Sequence, residues 1–433
     1  MARSGSLNRR SVLKTGAAAA ALSALPASLY ATASEKPIRV GLVGCGGRGT
    51  GAAHNVLHAA PNVTVVAVGD AFEGQAKGCQ SRLNDIAKND AKVKELGNKV
   101  NLPDGSVFWG LDAYKKVINH PDVDYVILAT PPGFRPLHIT EAVNAGKNVF
   151  TEKPVGVDGP GIRAVLKAFE VANEKKLGTA AGTQRRHQKA YIETIKQIHD
   201  GAIGELVTGR VYWNQGILWS RPRKEGMTDL QYQMWNWYNY SWICGDHIVE
   251  QHVHNLDVLN WCFREHPKAV VAMGGRSRNK PEYGHIFDFF SAQIEYSGDR
   301  HCISMARQIS NCWNSVTEYV SGTKGNSHVG GFTINGKPAL DRAAVRNASD
   351  PYVQEHTDLI ESIRKGQPIN ELKTVAESTL TAIMVRESAY TGQRITWEQA
   401  LASNKVYLDV ANLSDNMVLP EWKVAVPGTT QLS

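Results

Sequence analysis

Apolar positions along the chain follow two alternating rhythms. Ile38 to Val43 and Val63 to Gly69 are short β-branched runs that read as buried strands. Asp124 to Thr130 and Asn148 to Thr151 repeat that pattern, separated by a helical stretch from about Leu137 to Ala145 that Gly146 closes, and Leu177 to Ala181 adds another strand. Strands alternating with helices in this way predict a parallel, doubly wound sheet. Further along, Gly245 to Trp261 reads as one helix: Ile248, Val249, Leu256, Leu259 and Trp261 fit a helical period, and Asp246 stands where a cap belongs. Tyr352 to Lys365 and Leu372 to Thr391 alternate at helical spacing and end at Gly366 and Gly392.

A chain of 433 residues exceeds what one hydrophobic core usually organises, so two domains are expected. The first 33 residues stand apart: Arg3, Arg9, Arg10 and Lys14, without an acid, account for four of the seven net positive charges. An Ala/Leu-rich stretch from Gly16 to Leu29 follows, then Ala31-Thr32-Ala33. A charged start, a short apolar middle and an A-x-A end are those of a signal peptide, and the adjacent Arg9 and Arg10 resemble a twin-arginine signal. The expected address is therefore periplasmic or secreted, without membrane anchoring after cleavage. Removing the leader leaves +3 and no basic run, which argues against a nucleic-acid partner. The six cysteines have no C-x-x-C spacing and read mainly as core residues.

The first strand runs into Gly44-Cys45-Gly46-Gly47-Arg48-Gly49, a G-x-G-x-x-G, with Gly51 onward able to start a helix. Each glycine has its own physical reason. Gly44 permits the tight turn, Gly46 lets backbone approach a pyrophosphate, and Gly49 allows close helix–strand packing. The helix N-terminus then presents unpaired N–H groups to the phosphates. The second strand ends at Asp70, about twenty residues beyond Gly49, where a carboxylate binds a ribose 2′-OH and repels a 2′-phosphate. This predicts an NAD site, with NADP the less favoured cofactor.

Ala129-Thr130-Pro131 with His138, Ala145-Gly146-Lys147, Glu152-Lys153-Pro154, Gly201 to Leu206 and Ser321 to Gly325 follow the glycine motif in order. Together they resemble the glucose–fructose oxidoreductase / inositol dehydrogenase / MocA (Gfo/Idh/MocA) family over roughly residues 38 to 400. The resemblance implies a Rossmann domain (34–180) and then a substrate-binding α/β domain (181–433) with a large open, mostly antiparallel sheet. The C-terminal helices could pack back on the first domain, with the substrate between the two. It implies that Lys153 reaches the substrate and the nicotinamide. Glu152 would lie near the nicotinamide ribose, and Arg48, Thr130 and Pro131 beside the cofactor. A cation at Lys153 also makes chemical sense, since it would stabilise an alkoxide developing at a carbinol. Aligning His254-Asn255-Leu256-Asp257 with the family's His-Asp-x-Asp makes His254 the catalytic histidine. Glu250 then stands where the family has Asp, one methylene longer.

On one helix Glu250 and His254 would share a face, and a histidine is suited to take a hydroxyl proton. His252 would point off that face. His247, Glu250, Gln251 and His254 also fall at i, i+3, i+4 and i+7, but without an H-E-x-x-H signature, so no metal is expected. Half of the ten tryptophans fall between Val211 and Trp242, offering flat faces for a sugar or, equally, a subunit interface. Arg221, Arg223 and Lys224 in the same stretch allow an anionic sugar, and Gln184 to His187 could border the pocket. The expected protein is an NAD(P)-dependent oxidoreductase of a sugar or polyol carbinol, homo-oligomeric, possessing a non-dissociable cofactor if it is to work outside the cytosol. A redox-assisted glycosidase and a non-catalytic sugar-binding protein are the alternatives.

Overall fold

The computed structural model describes residues 36–432, so the leader and its cleavage site lie outside the described residues. The first sheet comprises β1 (Ile38–Val43), β2 (Val63–Asp70), β3 (Lys99–Val100), β4 (Val107–Trp109), β5 (Tyr125–Leu128), β6 (Asn148–Thr151) and β7 (Thr179–Ala181). All pair in parallel in the order β3-β2-β1-β5-β6-β7, with β4 also on β2. β1 and β5 are almost wholly buried, which is why they are continuous apolar runs without alternation. The strand order reverses between β1 and β5, and a crevice opens outside the carboxyl ends of the strands at such a switch point.

The helix after β1 starts earlier than its composition suggested. It spans Gly47–Ala59, so its first turn lies inside the glycine motif and Gly46 precedes it. Gly44 has φ +96°, and a Cβ there would lie 2.6 Å from the Ala129 carbonyl carbon. A Cβ at Gly49 would lie 1.8 Å from the Gly44 oxygen, so helix and strand meet at a distance only glycine allows.

The second sheet has nine strands, including β8 (Leu206–Gln215), β9 (Ala269–Gly275), β10 (Phe289–Tyr296), β11 (Arg300–Gln308) and β12 (Ser315–Gly322). β8 and β11 pair in parallel and the other pairs run antiparallel. β10 and β11 alternate strictly: Phe290, Ala292, Ile294, Cys302 and Ala306 face the core under the helices Val253–Phe263 and Leu372–Thr391. The opposite face leaves Val271, Met273, Phe289, Ile303 and Met305 between 41% and 76% exposed.

The helix Pro351–Arg364 returns to the first sheet, where Leu359 and Ile360 join Val40, Leu42 and Val56 in one core. Gly366 and Gly392 take positive φ where the last two long helices end. Five cysteines are buried and Cys312 is exposed, all six as free thiols. Among the described residues no helix is long and apolar enough to cross a membrane.

Candidate active site

The carboxyl ends of β1, β2, β5 and β6 form one wall of a cleft of about 540 Å³, and residues 213–254 form the other. On the first wall, a Cβ on Gly46 would meet nothing within 4 Å, so the backbone is open to the cleft at the start of the helix. This is the surface a pyrophosphate needs: free N–H groups, a positive dipole end and no side chain in the way. The Asp70 carboxylate accepts from Cys45 N at 2.7 Å and Phe72 N at 2.9 Å, tying the end of β2 to the glycine turn. Burial pushes its pKa up and these N–H groups pull it back. The residues present therefore fit a dinucleotide.

Arg48 leaves the first helical turn and pairs with Glu152, while its guanidinium lies 4.8 Å over the Tyr352 ring. Behind it Glu355 is fully buried, 3.6 Å from Arg48, and burial together with the nearby Glu152 pushes its carboxyl well up. One cation thus stands between two carboxyl groups, Glu152 and the buried Glu355.

Lys153 follows β6 and crosses to the other wall. Its Nζ donates to the Glu250 carbonyl at 2.7 Å and lies 3.4 Å from Glu250 Oε1. This contact explains why the helix expected from Gly245 to Trp261 is broken. His247–Glu250 is one turn and Val253–Phe263 a second helix. A continuous helix would spend the Glu250 carbonyl on His254 N; here that N–H turns to Gln251 O at 3.4 Å, the carbonyl being held by Lys153. Asp246 caps the break from the N-terminal side, accepting from His247 N at 2.5 Å, Phe287 N at 2.8 Å and Tyr390 Oη at 2.6 Å. Burial raises its carboxyl to about 7.

Glu250 and His254 nevertheless both face the cleft. Burial raises the Glu250 carboxyl, Lys153 opposing it. His254 stacks on Trp213, centroids 5.8 Å apart, and burial with Lys153 and Arg185 nearby holds it well below the ordinary histidine value. This environment favours the neutral imidazole, the form that accepts a proton. His252 is off this face as expected, its Nε2 2.7 Å from Ser304 Oγ. The continuous four-residue stripe that would have suited a metal does not form: His247 is buried away from the cleft against Phe290.

All the candidate residues, from Gly44, Gly46, Arg48 and Gly49 through Asp70, Thr130, Pro131 and Glu152 to Lys153, Glu250 and His254, line this one cleft. Of the Gln184–His187 run only Gln184 does; Arg185 pairs with Glu318, Arg186 with Asp257, and His187 with Asp358 and Glu371. The aromatic stretch is a loop over 216–228, where Arg221, Arg223 and Lys224 lie, and is structured on either side. It holds the helix Asp229–Trp235 and two shorter turns, and brings Trp213, Trp219, Trp235, Trp237 and Tyr238 to the cleft. Arg221 lies over Trp219 and Trp235, at 4.7 and 4.3 Å.

Sequence reasoning missed Arg135, Gln251, Tyr352 and Glu355. Arg135 follows β5 by a few residues and is buried at the cleft, and its place after Thr130-Pro131 was the one available signal. Gln251 was in view only on the helical stripe with Glu250 and His254; Tyr352 and Glu355 gave no signal, because tertiary packing alone brings those two in. Four polar atoms of the cleft residues, Arg135 Nε, Trp213 Nε1, Gln184 Oε1 and Glu250 Oε2, are buried without a partner among the described residues. They present two donors and two acceptors, the mixture a polyhydroxylated molecule satisfies.

Comparison with known proteins agrees with this geometry. Residues 38–179 match an oxidoreductase family with an NAD-binding Rossmann fold (GFO/IDH/MocA), and residues 191–328 match the C-terminal domain of GFO/IDH/MocA proteins. Residues 6–26 match the twin-arginine translocation pathway signal sequence, which directs export by that route. An inositol 2-dehydrogenase of Acidothermus cellulolyticus is 26% identical over 249 residues, 57% of this chain and 60% of that protein. A scyllo-inositol 2-dehydrogenase (NAD(+)) of Bacillus subtilis is 24% identical over 303 residues, 68% of this chain and 75% of that one. Among solved structures, scyllo-inositol dehydrogenase from Lactobacillus casei with bound NAD(H) and scyllo-inositol has TM-score 0.60 at 21% identity, covering 84% of this chain and 99% of that one. Aldose-aldose oxidoreductase from Caulobacter crescentus complexed with glycerol has TM-score 0.62 at 18% identity, covering 83% and 100%. At these identities the two structures establish the fold.

Proposed function

Because the chain belongs to the Gfo/Idh/MocA oxidoreductase family, we propose that it transfers hydride to or from a carbinol carbon of a sugar or polyol, using NAD, outside the cytosol. The observation that carries this reading is the convergence of Lys153, Glu250 and neutral His254 on the cleft that the glycine turn and Asp70 also line. The inositol dehydrogenases among its relatives support a cyclic polyol.

Nicotinamide, when bound, supplies the two-electron donor or acceptor; the protein's own groups handle the proton and the geometry. His254 takes the hydroxyl proton at a ring nitrogen as the carbinol is oxidised and returns it in the reverse direction. Lys153, held by the Glu250 carbonyl, stabilises the developing alkoxide. Glu250 accepts from a neighbouring hydroxyl through Oε2, and Trp213 orients the His254 ring. Arg48 keeps Glu152 in place beside the nicotinamide ribose. The test is an assay of purified protein against cyclitols, aldoses and aryl glycosides, with absorbance followed at 340 nm. No turnover of any polyhydroxylated carbinol would sink the proposal.

Asp70 sets the preference for NAD over NADP in this reading. Asp70→Ala is expected to narrow the ratio of NAD to NADP affinity by at least about tenfold, since it removes both a 2′-OH acceptor and a charge that repels phosphate. The ratio is the right readout, because losing the contacts to Cys45 and Phe72 weakens both cofactors alike. An unchanged ratio counts against Asp70. The bare apolar face of the nine-stranded sheet supports a homo-oligomer built through that face.

A further inference from the structure

Away from the cleft, the helix Gly47–Ala59 carries His54 and His58, spaced i, i+4 and therefore stacked on one face. Their rings meet edge to face with centroids 4.4 Å apart. Both Nε2 atoms point at the same atom, Asp90 Oδ2, at 2.9 and 3.0 Å. A ligand atom from each of the three residues lies within 4.8 Å of the other two. We propose that His54, His58 and Asp90 form a site for a borderline divalent transition-metal ion, zinc in the first instance.

The donor set is the one zinc takes: two imidazole nitrogens and a carboxylate oxygen at about 2.0–2.2 Å, with a fourth position open to water. In a tetrahedral shell such ligands stand about 3.3 Å apart, and the two nitrogen–oxygen separations of 2.9 and 3.0 Å are within a few tenths of an ångström of that. The side chains are 37%, 25% and 21% exposed, so the ion has an entry path and room for a water ligand. Asp90 is also held in advance. Its other oxygen, Oδ1, accepts from Lys92 N at 2.9 Å and Val93 N at 3.1 Å, which orients Oδ2 toward the histidines. His54 and His58 are absent from the cleft wall, so this site is separate from the chemistry. Its effect is mechanical: the ion pins the last turns of the dinucleotide-binding helix to the segment after Glu73–Asn89.

The experiment uses full-length mature protein freed of metal with a chelator, in a Cys312→Ser background so that the exposed thiol is not read as this site. Zinc chloride is titrated calorimetrically, and the thermal midpoint is measured with and without it. The expected result is one saturable zinc per chain that raises the midpoint and leaves turnover unchanged. His54→Ala, His58→Ala and Asp90→Asn are each expected to weaken binding at least about tenfold, ligand losses costing no less than the losses of supporting residues around metal sites. Asp90→Asn keeps an oxygen for the helix cap, so a fold defect does not imitate loss of a ligand. Cobalt(II) should give visible absorption bands that His58→Ala abolishes. Zinc binding equally well to the parent and to His58→Ala, or no saturable binding below about 100 μM, overturns the assignment.

Discussion

Replacing His254 or Lys153 by alanine is expected to lower kcat by about 10²–10⁴ while leaving the dinucleotide bound, since general acid–base assistance is worth that much. In the proposed reading both side chains act on the reacting carbinol, whereas the pyrophosphate would rest on the glycine turn and the helix N-terminus. Binding and turnover should therefore separate in either variant. His254 adds a pH signature. A base must be unprotonated, and burial with the nearby Lys153 and Arg185 holds His254 well below the ordinary histidine value. As pH falls, the ring stays neutral past the point where a solvated histidine would protonate. The acidic limb of kcat/KM assigned to it should thus lie clearly below pH 6.5. His254→Ala removes that limb along with the rate. A variant that keeps near-parent kcat on a competent substrate, or an acidic limb in the parent at 6.5 or above that disappears with His254, would contradict the role given to it.

Lys153→Ala carries a second consequence, because Lys153 also organises the chain opposite. With the Glu250 carbonyl released, His254 N is free to take it as in an unbroken helix. Lys153→Met, which fills the same space without the charge, tells the two effects apart. Loss of rate in both variants points to the cation, and recovery in Met to packing.

The Rossmann half was legible because its rules are local. A buried parallel strand must be apolar throughout, and a turn that approaches backbone on both sides must be glycine, as Gly44 and Gly49 show. Asp70 was legible for the same reason, standing at a fixed distance along the chain from a motif of fixed geometry. The break at Gln251 was not, because residues 246–261 contain no proline or glycine to mark one. The cause is an ammonium group nearly a hundred positions upstream taking one carbonyl. Tyr352 and Glu355 were hidden for a similar reason: they read as ordinary positions on an amphipathic helix until that helix docks beside Arg48. The chain after Ala402 shows no period at all, yet Tyr407, Leu408, Leu413, Met417, Leu419 and Trp422 pack on the core of Phe134, Leu230 and Trp242. Such a segment takes its order from the surface it covers, and pattern reading has nothing to find there.

That covering segment bears on how the cofactor is kept. We expect the exported protein to carry NAD with it and to turn over without added cofactor. The twin-arginine match and the NAD-binding domain in one chain motivate this, because the twin-arginine route moves folded proteins and free NAD is scarce beyond the cytosol. Contacts across the cleft supply a candidate for the clasp this expectation requires. Trp235, from the aromatic stretch, meets Phe72 edge to face at 6.1 Å, just past Asp70, and lines the cleft. Ala71, Phe72 and Leu111 on the nucleotide side join Leu230, Met234 and Trp242 on the other in one apolar cluster, which the C-terminal segment backs. We expect the dinucleotide to leave only as that cluster opens, each ~1.4 kcal/mol held there slowing release about tenfold. Dialysed protein, once denatured, should therefore yield close to one NAD per chain. Before denaturation it should oxidise a polyol with a single-turnover rise at 340 nm, continuing only when a second, reducible sugar is supplied. Trp235→Ala removes the aromatic bridge and is expected to release NAD about 30-fold faster, the effect of losing some 2 kcal/mol at a central aromatic contact. If dialysis of the parent gives an apo-enzyme that needs stoichiometric NAD from outside, the closed cycle is refuted. If Trp235→Ala holds its cofactor as long as the parent does, the clasp lies elsewhere.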